Sequence, residues 1–398
     1  MLRWLLALSG LAVVLAIAVA AHAYIVQRMV VDAGLATPWA SLATGLVWTG
    51  FVAMLLQPLG ERLLPHHLGR WIALPASTWM GLLFWLLLAL GASEVVLALG
   101  EGTAFAAADP GVPESGPGPV RALGVGSLVL LAAALANREA RRGPRDVRVE
   151  IELARWPREL DGYRIVQISD IHIGPTLGRD FARSLTERVN ALAPDLVAVT
   201  GDLVDGSRRY LEEEVAPFGG LRGRDGVFFV TGNHDYYSGA DDWTEYVREL
   251  GMRTLRNEHV AIERAGAHFV LAGVDDHRGD MVSNEGCEDL PRALAGVPAD
   301  SAVVLLAHDP STFKRSHAAG IDLQLSGHTH GGQIWPFHWF VRLAVPFVAG
   351  RYRRGAAELY VSRGTGFWGP PMRLGAPAEI TELVLRAPGE IAGPPVSA

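Results

Sequence analysis

Four apolar stretches crowd the first third of this chain, roughly residues 4–23, 38–57, 72–99 and 122–136. A helix needs about 20 apolar residues to cross the hydrocarbon of a bilayer. Residues 1–136 are therefore expected to form an all-α transmembrane region of about four helices. A charged, basic linker over 137–150 and a soluble domain over 151–398 are expected to follow. The hydrophobic fraction of the 398 residues is 49% and the mean hydropathy +0.21, and most of the excess lies before residue 137.

The fourth stretch is the short one. Its core, Ala122–Ala136, reaches spanning length only if Val120 and Arg121 extend it, with Arg121 snorkelling to the interface; a surface-lying or re-entrant segment is the alternative. Arg3, the first apolar run and Ala21-His22-Ala23 also resemble a signal peptide with its cleavage site, but the further spans favour an uncleaved helix. With four spans, Arg3, Arg62, Arg70, Arg138, Arg141, Arg142 and Arg145 fall on one side. Arg28 and Arg121 fall on the other, with Glu101, Asp109 and Glu114 in a Gly/Pro-rich loop over 100–119. The positive-inside rule then places both ends, and the soluble domain, in the cytoplasm. Three spans would reverse this. Glu94 is the ionisable residue noted within the spans, so anchoring is expected rather than transport.

A net charge of -7 gives no basic field to recruit nucleic acid. Cys287 stands alone, which excludes an intramolecular disulfide and a cysteine zinc site.

Beyond Val147, short β-rich runs alternate with helical stretches: strands over 164–169, 196–200, 227–231, 268–272, 303–307 and 323–326, helices over 179–192 and 241–250. The pattern is that of an α/β domain. After successive strands stand Asp170-Ile-His172, Gly201-Asp202-Leu-Val-Asp205, Gly232-Asn233-His234-Asp235, Ala307-His308 and Gly327-His328-Thr-His330. A pair of divalent ions needs oxygen and imidazole ligands from several segments, with one carboxylate shared. Asp170 and His172, two apart, would leave an extended chain on the same face. Asp202, about one strand-helix-strand unit later, is the candidate bridge, and Asn233 offers a neutral amide oxygen. Any one of these residues alone reads as a turn or a satisfied core group. Five segments in order, each after a strand, read as a metal centre.

These segments resemble the calcineurin-like metallophosphoesterase superfamily over roughly Tyr163–Arg386. Asp170-Ile-His-Ile-Gly174, Gly201-Asp-Leu-Val-Asp205 and Gly327-His-Thr-His-Gly-Gly-Gln333 look like its membrane-associated bacterial members. The resemblance implies a two-sheet sandwich flanked by helices and two divalent ions, manganese, iron or zinc. One ion would be held by Asp170, His172, Asp202 and His330, the other by Asp202, Asn233, His308 and His328. His234 would protonate the leaving oxygen, Asp235 would orient its ring, and Asp205 would support the ligands from behind. The substrate would be a phosphodiester or pyrophosphate, in a lipid-linked or nucleotide molecule. Similar enzymes that cleave UDP-diacylglucosamine usually carry arginine where this chain has His234. A cyclic-nucleotide or general phosphodiesterase is the alternative, and a non-catalytic metal-stabilised sensor or scaffold a further one.

Three features stand outside these segments. Ile334–Phe347 gathers Trp335, Phe337, Trp339 and Phe340 among few charges, and reads as core rather than as a lid or membrane-facing surface. Arg351, Arg353, Arg354, Arg363 and Arg373 read as a solvated face rather than as contacts for substrate phosphates. Asp275, Asp276 and His277 read equally as support for the site or as a solvated turn.

Overall fold

A computed structural model describes residues 2–104, 118–279 and 286–389. Most of the expected loop over 100–119 and the last residues of the expected domain lie outside the described residues. The chain separates into two compact units, one of Met1–Leu63, Leu68–Arg138 and Gly369–Met372, the other of Leu64–His67, Glu139–Trp368 and Arg373–Ala398.

The first unit is helical: α1 (Leu2–Val26), α2 (Trp39–Leu63), α3 (His66–Ala104) and α4 (Gly118–Arg141). Among the described residues, four segments are long and apolar enough to cross a membrane: Ser9–Val31, Trp39–Gly60, His66–Leu99 and Gly118–Arg141. The fourth is thus longer than its apolar core. Arg121 reaches Asp32 at 2.9 Å and Glu94 at 3.1 Å, and Arg28 meets the same two carboxylates at 2.9 and 3.0 Å. Mutual pairing removes the need for either arginine to stand alone in an apolar setting. His22, in the stretch that resembles a cleavage site, is buried inside α1. Its Nε2 accepts from the Trp79 indole at 2.9 Å and its Nδ1 lies 2.7 Å from the Ala18 carbonyl.

The second unit is a two-sheet sandwich. Its first sheet runs, edge to edge, β1 (Arg145–Glu152), β12 (Glu379–Arg386), β2 (Tyr163–Ile168), β3 (Leu196–Thr200), β4 (Val227–Val230) and β5 (Arg253–Thr254). The second runs β10 (Gly350–Arg354), β11 (Ala357–Val361), β9 (Leu323–Ser326), β8 (Val303–Leu306), β7 (Ala267–Gly273) and β6 (Glu258–Arg264). Successive strand side chains point to opposite faces. Ile165, Leu196, Ala198, Phe228 and Val230 therefore join Phe269, Leu271, Val304, Leu306 and Leu325 in one apolar layer between the sheets. Their neighbours Val166, Ile168, Val197, Val199 and Phe229 pack outward on Leu185 and Val189 of α5 (Arg179–Ala191). Gln167 ties the two sheets together, its Nε2 donating to Thr200 Oγ1 at 2.8 Å and to the Ser326 carbonyl at 3.0 Å.

The six expected strands are present within a residue or two. Edge strands β1, β6 and β10 were not expected, because their charged residues stand on a wet face and break the apolar run. In the expected linker over 137–150, α4 continues to Arg141 and β1 begins at Arg145, in parallel register with Glu379 of β12. The Ile334–Phe347 stretch departs from the core reading. Trp335, Phe337, Trp339, Phe340 and Leu343 are exposed, and the helix His338–Ala344 contains no buried residue.

Phe269 is fully buried against Trp156 and Tyr163, with ring centroids 4.9 and 5.2 Å away. Phe269→Ala is expected to destabilise the sandwich by about 3–5 kcal/mol, against about ±0.5 kcal/mol for Arg183→Ala on the solvated side of α5. Denaturant unfolding of the detergent-solubilised chain measures both.

Candidate metal centre

Strands β2, β3 and β4 run parallel in the first sheet, and β8 and β9 run parallel in the second. Asp170, Asp202, His308 and His328 each stand two residues beyond the end of their strand, and Asn233 three. The turns are not extended, as the two-residue spacings suggested. Asp170, His172, Asp202, His328 and His330 have φ of 52, 54, 52, 71 and 51°, in the left-handed region. Each such non-glycine residue costs on the order of 1 kcal/mol or more and persists only where its surroundings hold it.

What holds them is a backbone lattice. The Asp170 N–H donates to the Gly201 carbonyl at 3.0 Å, and the N–H groups of Ile171 and His172 donate to the Asp202 carbonyl at 2.9 and 3.1 Å. The His328 N–H donates to Asp170 Oδ1 at 2.8 Å, and the His234 N–H to Asp202 Oδ1 at 2.8 Å. Asp235 accepts from the backbone of Asp202, Leu203 and Gly232 at 2.9, 3.0 and 2.8 Å.

The side chains gather into adjacent groups. Asp170, His172 and His330 bring ligand-type atoms within 4.8 Å of one another; so do Asp202, His308 and His328, and so do His172, Asp205 and His234. His172 Nε2 faces His330 Nε2 at 3.0 Å, and His328 Nδ1 faces His308 Nε2 at 3.3 Å. Asp202 Oδ2 lies between the first two groups, 3.1 Å from His308 Nε2 and 3.9 Å from His172 Nε2. His308 Nδ1 lies 2.8 Å from the Thr200 carbonyl and His172 Nδ1 3.0 Å from Asp205 Oδ1, so Nε2 is the atom of each ring that could ligate an ion. Asp170 Oδ2 and Asn233 Oδ1 are buried oxygens with no hydrogen-bond partner. Buried oxygens and facing imidazole nitrogens, without sulfur, fit divalent cations of the manganese, iron and zinc type.

His234 is placed differently from the expectation. Its Nδ1 lies 2.7 Å from Asp205 Oδ1, so the carboxylate that orients its ring belongs to Asp205 and not to Asp235. Asp235 occupies the first turn of the helix Asn233–Ser238, where its carboxylate folds back onto N–H groups. Burial alone would lower the His234 pKa, but the charges of Asp205 and Asp202 outweigh it and lift it to about 9. Burial, then the charge of Asp202, raises Asp235 to about 7. Tyr237, Trp368 and His172 surround the His234 ring at 5.2, 5.5 and 4.8 Å between centroids.

Two residues beside the site were not assigned to it from the sequence. Asp309 Oδ2 lies 3.6 Å from His328 Nε2, and its only signal was its place directly after His308. Arg373, read as part of a solvated face, is instead buried. It donates to the carbonyls of Gly366, Arg363 and Ala376, with Nη2 3.2 Å from His330 Nδ1. Asp275 is buried against Arg256 at 2.9 Å rather than on a solvated turn.

Residues 163–332 match the model of the calcineurin-like phosphoesterase family. An Aquifex aeolicus protein described as an "Uncharacterized metallophosphoesterase" is 34% identical over 245 residues, covering 60% of this chain and 90% of that protein. The chain belongs to the calcineurin-like phosphoesterase family. Family likeness extends beyond bacteria. A Bos taurus "Transmembrane protein with metallophosphoesterase domain" is 43% identical over 270 residues, 65% of this chain and 60% of that protein. A Danio rerio protein of the same description is 39% identical over 266 residues, with the same two coverages. The chain thus spans about 60% of the length of these two relatives.

Gly201 carries φ 87°, and a Cβ there would lie 2.6 Å from His308 Nδ1 and 2.7 Å from the Gly232 nitrogen. Gly201→Ala is expected to cost about 1–3 kcal/mol and to disturb His308. The checks are a thermal melt and the shift of the His308 ring resonance.

Proposed function

We propose that the protein is a membrane-anchored phosphohydrolase that uses two divalent ions to cleave a phosphodiester or pyrophosphate bond, in a lipid-linked or nucleotide substrate. The observation that carries this reading is the pair of ligand groups, one of Asp170, His172 and His330 and one of Asp202, His308 and His328, together with the buried, unpartnered Asp170 Oδ2 and Asn233 Oδ1. Asp170, His172, Asp202 and His330 would hold one ion, and Asp202, Asn233, His308 and His328 the other. Once bound, such a pair supplies positive charge to phosphate oxygens and makes water more acidic.

The remaining chemistry falls to this chain's own groups. His234 holds its Nδ1 proton against Asp205, which leaves Nε2 to carry the proton that a leaving oxygen needs. Asp205 is a positioning residue twice over, since the same oxygen also orients His172. Tyr237 and Trp368 wall the His234 ring and limit its rotation. Asp235 fastens the loop carrying His234 to the loop carrying Asp202.

Four membrane crossings would leave the phosphoesterase domain in the cytoplasm. Supporting this, only Arg28 and Arg121 stand on the opposite side, against Arg3, Arg62, Arg70, Arg138, Arg141, Arg142 and Arg145.

The purified chain is expected to bind about two divalent ions after loading with manganese, iron or zinc, and to lose diester hydrolysis on chelation. Asp202→Asn should lose both metal and turnover. His234→Asn should keep the metal and lose turnover by about 10² or more, less for substrates with good leaving groups. Metal analysis beside leaving-group kinetics decides; an emptied site in His234→Asn would make His234 a ligand.

Sidedness has its own test. In a Cys287→Ser background, Arg142→Cys should resist a membrane-impermeant thiol reagent in intact cells and react after lysis. Labelling of intact cells would place the domain outside.

A further inference from the structure

We propose that Trp335–Leu343 is a lip that lies in the interface of a lipid bilayer, and that the cavity beneath it receives the anionic headgroup of a lipid whose phosphate ester is cleaved at the site. The inference rests on the phosphoesterase reading above and names its substrate class.

The lip leaves the metal centre directly. His330 is followed by Gly331 and Gly332, Ile334 is buried, and from Trp335 onward the chain turns its apolar side chains outward. Trp335 is 56% exposed, Trp339 59% and Leu343 87%, with Phe337 and Phe340 also exposed. Few soluble domains display contiguous apolar surface of this kind without using it. Its chemistry is that of an interfacial segment. Tryptophan and phenylalanine suit the headgroup boundary, and the one cation among them, Arg342, lies over the Trp339 ring at 5.7 Å, placed to meet anionic lipid.

Under the lip is a cavity of about 320 Å³, lined by Gly331, Gly332, His338, Tyr352, Arg342 and Arg363. Arg363 is already paired with Glu379 at 2.6 Å, so Arg342 supplies the uncompensated charge for an anion. The two lining glycines directly follow His330 in the chain. A headgroup seated there would have its phosphate beside the metal ligands and its acyl chains beside the aromatic lip. Only three residues, Arg142–Pro144, separate the end of α4 from the start of β1. A tether of that length spans at most about 11 Å, so a domain hung from a membrane-crossing α4 stays within reach of the bilayer surface.

The test uses the full chain with Cys287→Ser, reconstituted in phosphatidylcholine and phosphatidylglycerol vesicles. A polarity-sensitive thiol fluorophore is placed by Leu343→Cys or, as a control on the exposed face of α5, by Asp180→Cys. The Leu343 label should be quenched by nitroxide lipids about threefold more than the Asp180 label and shielded from aqueous iodide. Equal quenching at the two positions would overturn the proposal. So would shielding that follows protein concentration instead of lipid, which would make the lip a seat for a second copy. In the second arm, the double variant Trp339→Asp, Leu343→Asp should lose about tenfold in turnover of a diacyl phosphate ester in vesicles while keeping turnover of a soluble aryl diester within about twofold. Equal loss on both substrates would make the lip structural and overturn the proposal. Absence of soluble-diester turnover in the unaltered chain would strike the phosphoesterase reading alone, with lipid quenching still deciding the lip.

Discussion

Asp202 has a bonded or close partner for each of its polar atoms, and the loops of the metal centre are fastened through them. Its N–H goes to Asp235, its carbonyl accepts from Ile171 and His172, its Oδ1 accepts from His234, and its Oδ2 faces His308. The ends of β2, β3, β4 and β8 thereby meet at one residue. A shift in any of these loops would break a buried hydrogen bond in another, and a buried polar group left unpaired costs about 1–3 kcal/mol. This cross-bracing helps sustain left-handed backbone at five of the seven candidate ligands, each unfavourable by itself.

The same crowding sets the electrostatic problem. Buried carboxylates are expensive unless hydrogen bonds or opposite charge compensate them. Asp235 is compensated by three N–H groups, and Asp170 by one on Oδ1 only. Asp170, with its unmatched Oδ2, belongs to the group that contains His172 and His330, where a cation would complete the balance. Arg373 adds a buried positive charge near His330, and the carbonyls of Gly366, Arg363 and Ala376 receive its N–H groups so that no carboxylate of the site is consumed.

Much of this was legible in the sequence, and the exceptions have physical causes. Central strands read clearly because both faces are buried and the apolar run is unbroken, as in Leu196–Thr200. β1 did not, because its alternation of Val147, Val149 and Ile151 with charged residues resembles a linker when its partner β12 lies more than 200 residues away. The candidate ligands stood out by type and position, but the reason they converge lies in left-handed turns and not in extended spacing. Asp235 misled because adjacency in sequence is not adjacency of side chains: at the start of a helix, its carboxylate turns back to the N–H groups while His234 turns to Asp205. The aromatic lip misled because a stretch with few charges looks alike whether it faces a core or a bilayer.

The pairing of His234 with Asp205 also bears on the kind of bond the proposed enzyme would break. An arginine at that position could bind phosphate oxygens but, with a pKa above about 12, would hold its proton too tightly to deliver it. An imidazole gripped at Nδ1 can deliver one from Nε2. That ability matters most when the leaving oxygen is a poor one, as in an alkyl ester, and least when it is an already acidic phosphate, as in an anhydride. Under the proposed reading, the buried carboxylate behind His234 therefore favours phosphate esters over pyrophosphates. A lipid headgroup ester, presented through the cavity beside His330, is a substrate of that class.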